Sequence, residues 1–247
     1  MSHVSFGCIA SSAGESRRGA RVVAALAAAA LALTSFACSS NGREGAVASP
    51  ATAAPVATKP PAADARPKIV AIGDSLTAGF GLSPDKSYPS LLQKRLDREG
   101  YQYAVVNAGV SGDTSAGGVR RAEWCLDGDV RIVILELGAN DGLRGLSVAD
   151  MKRNLQTIID RAREKNATVI LSGMEAVPNL GPDYQREFHN AFPELAKRNG
   201  VPLIPFFLEG VAGHESLNQS DGIHPNERGT QMVCDTVWKT LAPLLKK

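Results

Sequence analysis

Five short apolar runs punctuate the chain from Lys68 onward, at residues 68–72, 103–107, 131–137, 168–171 and 201–206. They are continuous rather than alternating, and rich in Val and Ile. A strand with this pattern is buried on both faces, as in a parallel sheet covered by helices. The intervals carry helical patterns at residues 88–98, 115–126, 148–163 and 184–198, and residues 226–245 close the chain. Leu91, Leu92 and Leu96 form the apolar stripe of the first, and Gly100 and Gly200 stand just past two helix ends, where a left-handed residue is needed. Strands alternating with helices imply an α/β three-layer sandwich with right-handed crossovers. In such sheets ligands bind beyond the carboxyl ends of the strands, so the loops after the strands should hold the chemistry.

Residues 1–66 are of another kind. Arg17, Arg18 and Arg21 precede an apolar run at 22–37, an arrangement expected of a secretory signal peptide over residues 1–37. The run is shorter than the ~20 residues of a bilayer span, which leaves an uncleaved anchor as the lesser alternative. Ser35-Phe36-Ala37-Cys38 resembles a bacterial lipoprotein processing site, with Cys38 as the lipidated first residue of the mature chain. Ser35 departs from the Leu that such sites prefer, so plain secretion stays open. Residues 38–67 are rich in Ala and Pro without apolar periodicity, the composition of a disordered tether. The expected layout is therefore an exported envelope protein with a catalytic or binding domain at 68–247. That body holds 21 Lys and Arg against 22 Asp and Glu beyond residue 66, which argues against nucleic acid as a partner. About 180 residues suffice for a core without disulfide staples.

Four loop blocks carry chemical residues. Gly73-Asp74-Ser75-Leu76-Thr77 puts Ser75 at a strand-to-helix turn, as an exposed nucleophile or as an ordinary helix cap. Asn107-Ala108-Gly109-Val110-Ser111-Gly112-Asp113-Thr114 is either a loop whose backbone N–H approaches a ligand or a plain loop with Asp113 or Thr114 capping the next helix. In Gly138-Ala139-Asn140-Asp141-Gly142 the Asn140 amide can donate to a developing oxyanion, or simply turn the chain. Asp221-Gly222-Ile223-His224-Pro225 sets a carboxylate three residues before a His, with Pro225 expected to open the last helix.

Together the blocks resemble the GDSL-type, or SGNH, hydrolase family, whose Ser, Gly, Asn and His appear here, in order, as Ser75, Gly112, Asn140 and His224. The resemblance covers residues 68–247, and the second and third blocks look like those of its thioesterase I, lysophospholipase and arylesterase branch. It implies a flavodoxin-like sandwich on a five-stranded parallel sheet. It implies a catalytic triad of Ser75, His224 and Asp221, and an oxyanion hole from the N–H groups of Ser75 and Gly112 with the Asn140 side chain. No cofactor or metal is implied, and a monomer is expected.

Asp74, adjacent to the nucleophile, is expected to brace the turn. His189 and His214 lack zinc-ligand spacing and are expected to be ordinary. Cys125 and Cys234 could pair or could be separate buried thiols. Leu143, Val177, Pro178 and Leu180 are expected to form apolar walls for an acyl group. Small esters, thioesters or lysophospholipids fit these walls, and a lipid on Cys38 would hold the domain at a membrane. A carbohydrate O-deacetylase of the same family and a non-catalytic envelope binding protein are the rival readings. The low aromatic content, 5%, disfavours the first, since sugar sites want aromatic platforms.

Overall fold

The structure, a computed structural model, describes residues 64–247. The expected signal segment, Cys38 and the tether up to residue 63 lie outside the described residues. Five strands, β1 (Lys68–Gly73), β2 (Ala104–Gly109), β3 (Val130–Glu136), β4 (Thr168–Ser172) and β5 (Leu203–Ile204), form one parallel sheet in the order β2-β1-β3-β4-β5. Seven helices accompany it: α1 (Ser75–Ala78), α2 (Tyr88–Glu99), α3 (Ser115–Cys125), α4 (Ala139–Leu143), α5 (Val148–Glu164), α6 (Pro182–Asn199) and α7 (Glu227–Leu241). α2 and α7 pack together, and α3, α5 and α6 form a second row. The result is the three-layer α/β sandwich that the alternating pattern implies.

The buried strands explain themselves. Ile69, Val70, Ala71 and Ile72 of β1 are fully buried, as are Val133, Ile134 and Leu135 of β3 beside them. Helix α5 begins where Ser147 accepts from the Asp150 N–H, and it buries Met151, Leu155, Ile158, Ile159 and Ala162, one stripe at helical spacing.

Prolines account for the main departures from the expected boundaries. The run at 201–206 yields only two residues of strand, because Pro202 and Pro205 flank β5 and neither can donate to a ladder. Pro225 does not open the last helix. It sits in an isolated antiparallel bridge with Asn218, and Asn226 caps α7 by accepting from the N–H groups of Arg228 and Gly229. The α-helix then ends at Leu241, and Pro243 lies in a 3-10 turn at Ala242–Leu244. Cys125 and Cys234 are both buried free thiols, and burial pushes Cys234 up to about 12.

The chain runs outward from the sheet's centre in both directions, β1 to β2 on one side and β3 to β5 on the other. The reversal falls between β1 and β3, the switch point at which open α/β sheets bind ligands. The short helices α1 and α4 start just there, at the carboxyl ends of those strands.

Candidate active site

Ser75 is the first residue of α1, whose cap is Asp74: the Asp74 Oδ1 accepts from the Leu76 N–H at 3.0 Å. Ser75 Oγ lies 2.9 Å from His224 Nε2, and His224 Nδ1 lies 2.7 Å from Asp221 Oδ2. The other Asp221 oxygen accepts the backbone N–H groups of Ile223 (3.1 Å) and His224 (3.0 Å). One carboxylate thus shapes the turn and meets the ring. The ring's hydrogen bond, followed by those two N–H groups, holds the Asp221 carboxyl down at about 2. The Phe80 ring packs obliquely on the imidazole, centroid to centroid 4.7 Å.

Opposite His224 stand the second and third loops. Asn140, in α4, donates from Nδ2 to Asp74 Oδ2 at 3.0 Å, which leaves its second N–H for another acceptor. Asp141 faces the other way and accepts from the N–H (2.8 Å) and the hydroxyl (2.6 Å) of Ser115, so α4 is tied to the start of α3 just after the Gly112 loop. Arg144 donates to the Gly112 carbonyl at 2.8 Å. Arg121 joins the ends of two strands. It donates to the carbonyls of Gly73 (2.7 Å) and Ala108 (2.6 Å) and pairs with Asp113 at 2.7 Å. These ties fix the spacing between the Ser75 turn and the Gly112 loop.

A cleft of about 500 Å³ opens over this constellation, walled on one side by Ser111, Gly112, Asn140 and Leu143. Phe80, Ile223 and His224 form another wall, and Met174, Val177, Pro178, Phe206, Leu208 and Ala212 supply further apolar lining. Of the four expected wall residues, Leu143, Val177 and Pro178 line the cleft. Leu180 does not: it ends the 3-10 turn Pro178–Leu180, which turns it onto Gly145. Phe206, Leu208 and Ala212 carried no signal beforehand, because they follow the shortened β5 and reach the cleft only through the fold. His189 is exposed and binds Glu175 at 2.6 Å. Among the described residues no cluster of three or more His, Cys, Asp and Glu is placed to hold a metal ion.

The profile of the GDSL-like Lipase/Acylhydrolase family matches residues 71–232, a span that contains all four loops. The chain belongs to this family. The "Esterase TesA" of Pseudomonas aeruginosa is 44% identical over 178 residues, 72% of this chain and 89% of that one. The "Arylesterase" of Vibrio mimicus is 36% identical over 181 residues, 73% and 90% of the two chains. The "Thioesterase 1/protease 1/lysophospholipase L1" of Escherichia coli K12 is 38% identical over 178 residues, 72% and 84%. The crystal structure of TesA superposes with a TM-score of 0.70 at 44% identity, covering 72% of this chain and 99% of that one. That of the esterase EstA from a Pseudoalteromonas species, inhibited by monoethylphosphonate, gives a TM-score of 0.69 at 33% identity, covering 72% and 97%. Proteins named as esterases thus share this sandwich.

Proposed function

We propose that this GDSL-family chain is a serine esterase, hydrolysing carboxylic esters or thioesters through an acyl-enzyme on Ser75. The observation that carries the reading is the unbroken line from Ser75 Oγ through His224 to Asp221, at 2.9 and 2.7 Å. In this reading the imidazole takes the Ser75 proton as Oγ attacks the acyl carbonyl, then gives it to the leaving group. Asp221, ionised because its hydrogen bonds keep it at about 2, holds the Nδ1–H tautomer and stabilises the imidazolium. The oxyanion lies among the N–H of Ser75, the N–H of Gly112 and the free N–H of Asn140. Water then releases the acid by the reverse route.

The apolar lining of Met174, Phe206 and Leu208 suits an acyl chain, while the wall of Phe80 and Ile223 suits a leaving group. Small esters, thioesters and lysophospholipids share this layout. The names of the relatives, which include arylesterase, thioesterase and lysophospholipase, support that range. A fluorophosphonate probe tests the enzyme directly. Wild-type protein should label on Ser75 and hydrolyse p-nitrophenyl esters. Ser75→Ala should lose both while staying folded, and labelling that moves to another Ser would reject the assignment.

Export is the second part of the proposal. The segment ahead of Cys38 has a signal peptide's pattern, and a lipid on Cys38 followed by the Ala/Pro-rich stretch would hold the esterase at an envelope membrane. Wild-type protein should then fractionate with membranes, and Cys38→Ser should not be processed at that site. A mature N-terminus elsewhere, without acyl chains, would reduce this to simple secretion.

A further inference from the structure

Beneath the nucleophile turn lies a carboxyl group that the triad does not use. Glu136 ends β3 and is completely buried. Its Oε2 accepts from the Thr77 hydroxyl at 2.7 Å and from the Asp74 N–H at 3.3 Å. Its Oε1 is buried without a partner. Ser172 ends β4, is also fully buried, and its Oγ is likewise without a partner. Strands β3 and β4 are in register through Leu135 and Leu171. Glu136 and Ser172 come next on the two strands, so their side chains leave the same face of the sheet as direct neighbours. Two buried polar atoms without hydrogen-bond partners thus belong to neighbouring strand ends, and one is a carboxyl oxygen.

The charges around Glu136 decide its state. Asp74, whose backbone N–H donates to Glu136, is a second buried carboxyl, and like charges this close cannot both ionise cheaply. The Tyr88 hydroxyl lies 3.5 Å from Thr77 Oγ1 on the same face and offers no positive charge. Arg121 acts on Glu136 only through space, its hydrogen bonds going to Gly73, Ala108, Asp113 and Cys125. Asp74 has two donors on its carboxylate, the Leu76 N–H and the Asn140 amide, and it feels the His224 ring as well. Glu136 has donors on one oxygen only. The proton belongs on Glu136.

We propose that Glu136 is a neutral, protonated positioning residue: Oε2 takes the Thr77 hydroxyl and the Asp74 N–H, and the proton sits on Oε1, the buried oxygen that no donor reaches. Burial, then the neighbouring Asp74, raises Glu136 well above the carboxylate range, in keeping with this. The consequence reaches the reaction through Asp74. With the proton on Glu136, Asp74 stays an acceptor on both oxygens. One anchors the turn bearing Ser75 and the other holds the Asn140 amide, so its second N–H faces the oxyanion. This inference rests on the esterase reading for its kinetic consequence, but the protonation itself can be read in resting protein.

Two measurements test it. Infrared difference spectra of wild type against Glu136→Gln, with isotope-edited glutamate, should show a protonated carboxylic acid at neutral pH. An ionised carboxylate there would overturn the proposal, whatever the role of Ser75. In kinetics, Glu136→Leu should lower kcat about tenfold or more with KM changed less than about twofold, since the oxyanion donors act mainly in the transition state. Glu136→Gln, which offers the same acceptor and donor pair, should recover kcat to within about threefold of wild type. A Gln variant as slow as the Leu variant would show that charge, not a neutral acid, is required. Should the Leu variant fail to fold, the spectrum and the Gln variant still decide.

Discussion

Asn140 shows how much one side chain can carry. Its amide has two N–H groups; one is anchored on Asp74, and the proposed mechanism gives the other to the oxyanion. Asn140→Ala should lower kcat by about 10²–10³, or roughly 2.7–4 kcal/mol, the usual loss of one oxyanion donor. KM should change little, because the donor matters most once charge develops on the carbonyl oxygen. Steady-state kinetics on a p-nitrophenyl ester would measure this, and a mutant that mainly raises KM would make Asn140 a substrate-positioning residue instead. The blocks that hold Asn140, Ser75 and the Asp221–His224 pair could be picked out of the amino-acid sequence because each is short and contiguous, and the structure brings them together over one cleft. Glu136 could not be picked out. It reads as a single acid within the apolar run 131–137, and its partner Asp74 lies 62 residues away. Nothing local distinguishes a buried acid at a strand end from an exposed one. Arg121 and Phe80 were missed for the same reason, their partners being set by the sheet rather than by spacing.

At the scale of elements, the site depends on how closely α1 can sit on the end of β2. Gly109 closes β2 against the backbone of α1: a Cβ there would lie 2.2 Å from the Ala78 nitrogen and 2.8 Å from its Cα. These are main-chain atoms that cannot swing away. Gly109→Ala should therefore push the Ser75 turn off the sheet, costing about 1–3 kcal/mol of stability as overpacked substitutions do. It should also lower kcat, since Ser75 and Gly112 are spaced by this contact. Chemical denaturation and kcat measured on the same preparation would check both, and a variant with wild-type values for each would show that the two elements can part without cost. The elements themselves were largely readable. Apolar runs marked all five strands, and α2, α3, α5 and α6 began and ended within two residues of their expected bounds. What periodicity could not reveal were α1 and α4, which have four and five residues and too few turns to show a stripe. The end of β5 was also obscured, since the run at 201–206 looks like a full strand until its two prolines are weighed.

For the whole molecule, the pair of carboxyls under the site sets how stability should vary with pH. Burial raises Asp74 from its ordinary 3.8 to about 6, and raises Glu136 well above its ordinary 4.5. A carboxyl raised in the folded state binds its proton more tightly there than in the unfolded chain. Its contribution to stability is full below the unfolded value and is lost as pH rises through the folded value. These two groups therefore favour the fold on the acid side, and the benefit fades from about 4 upward, through about 6 for Asp74 and beyond for Glu136. Asp221 runs the other way. Held at about 2, it contributes fully above its ordinary 3.8 and is lost only as pH falls through about 2. The two opposed slopes place the stability maximum near about 4, well on the acid side of neutrality. Thermal unfolding followed from about pH 8 down to about pH 5 should show Tm rising. Glu136→Gln cannot titrate, so its Tm should rise less steeply over the same range. A wild-type Tm that falls toward pH 5, or a Gln variant with an unchanged slope, would mean that the buried pair does not govern this part of the curve.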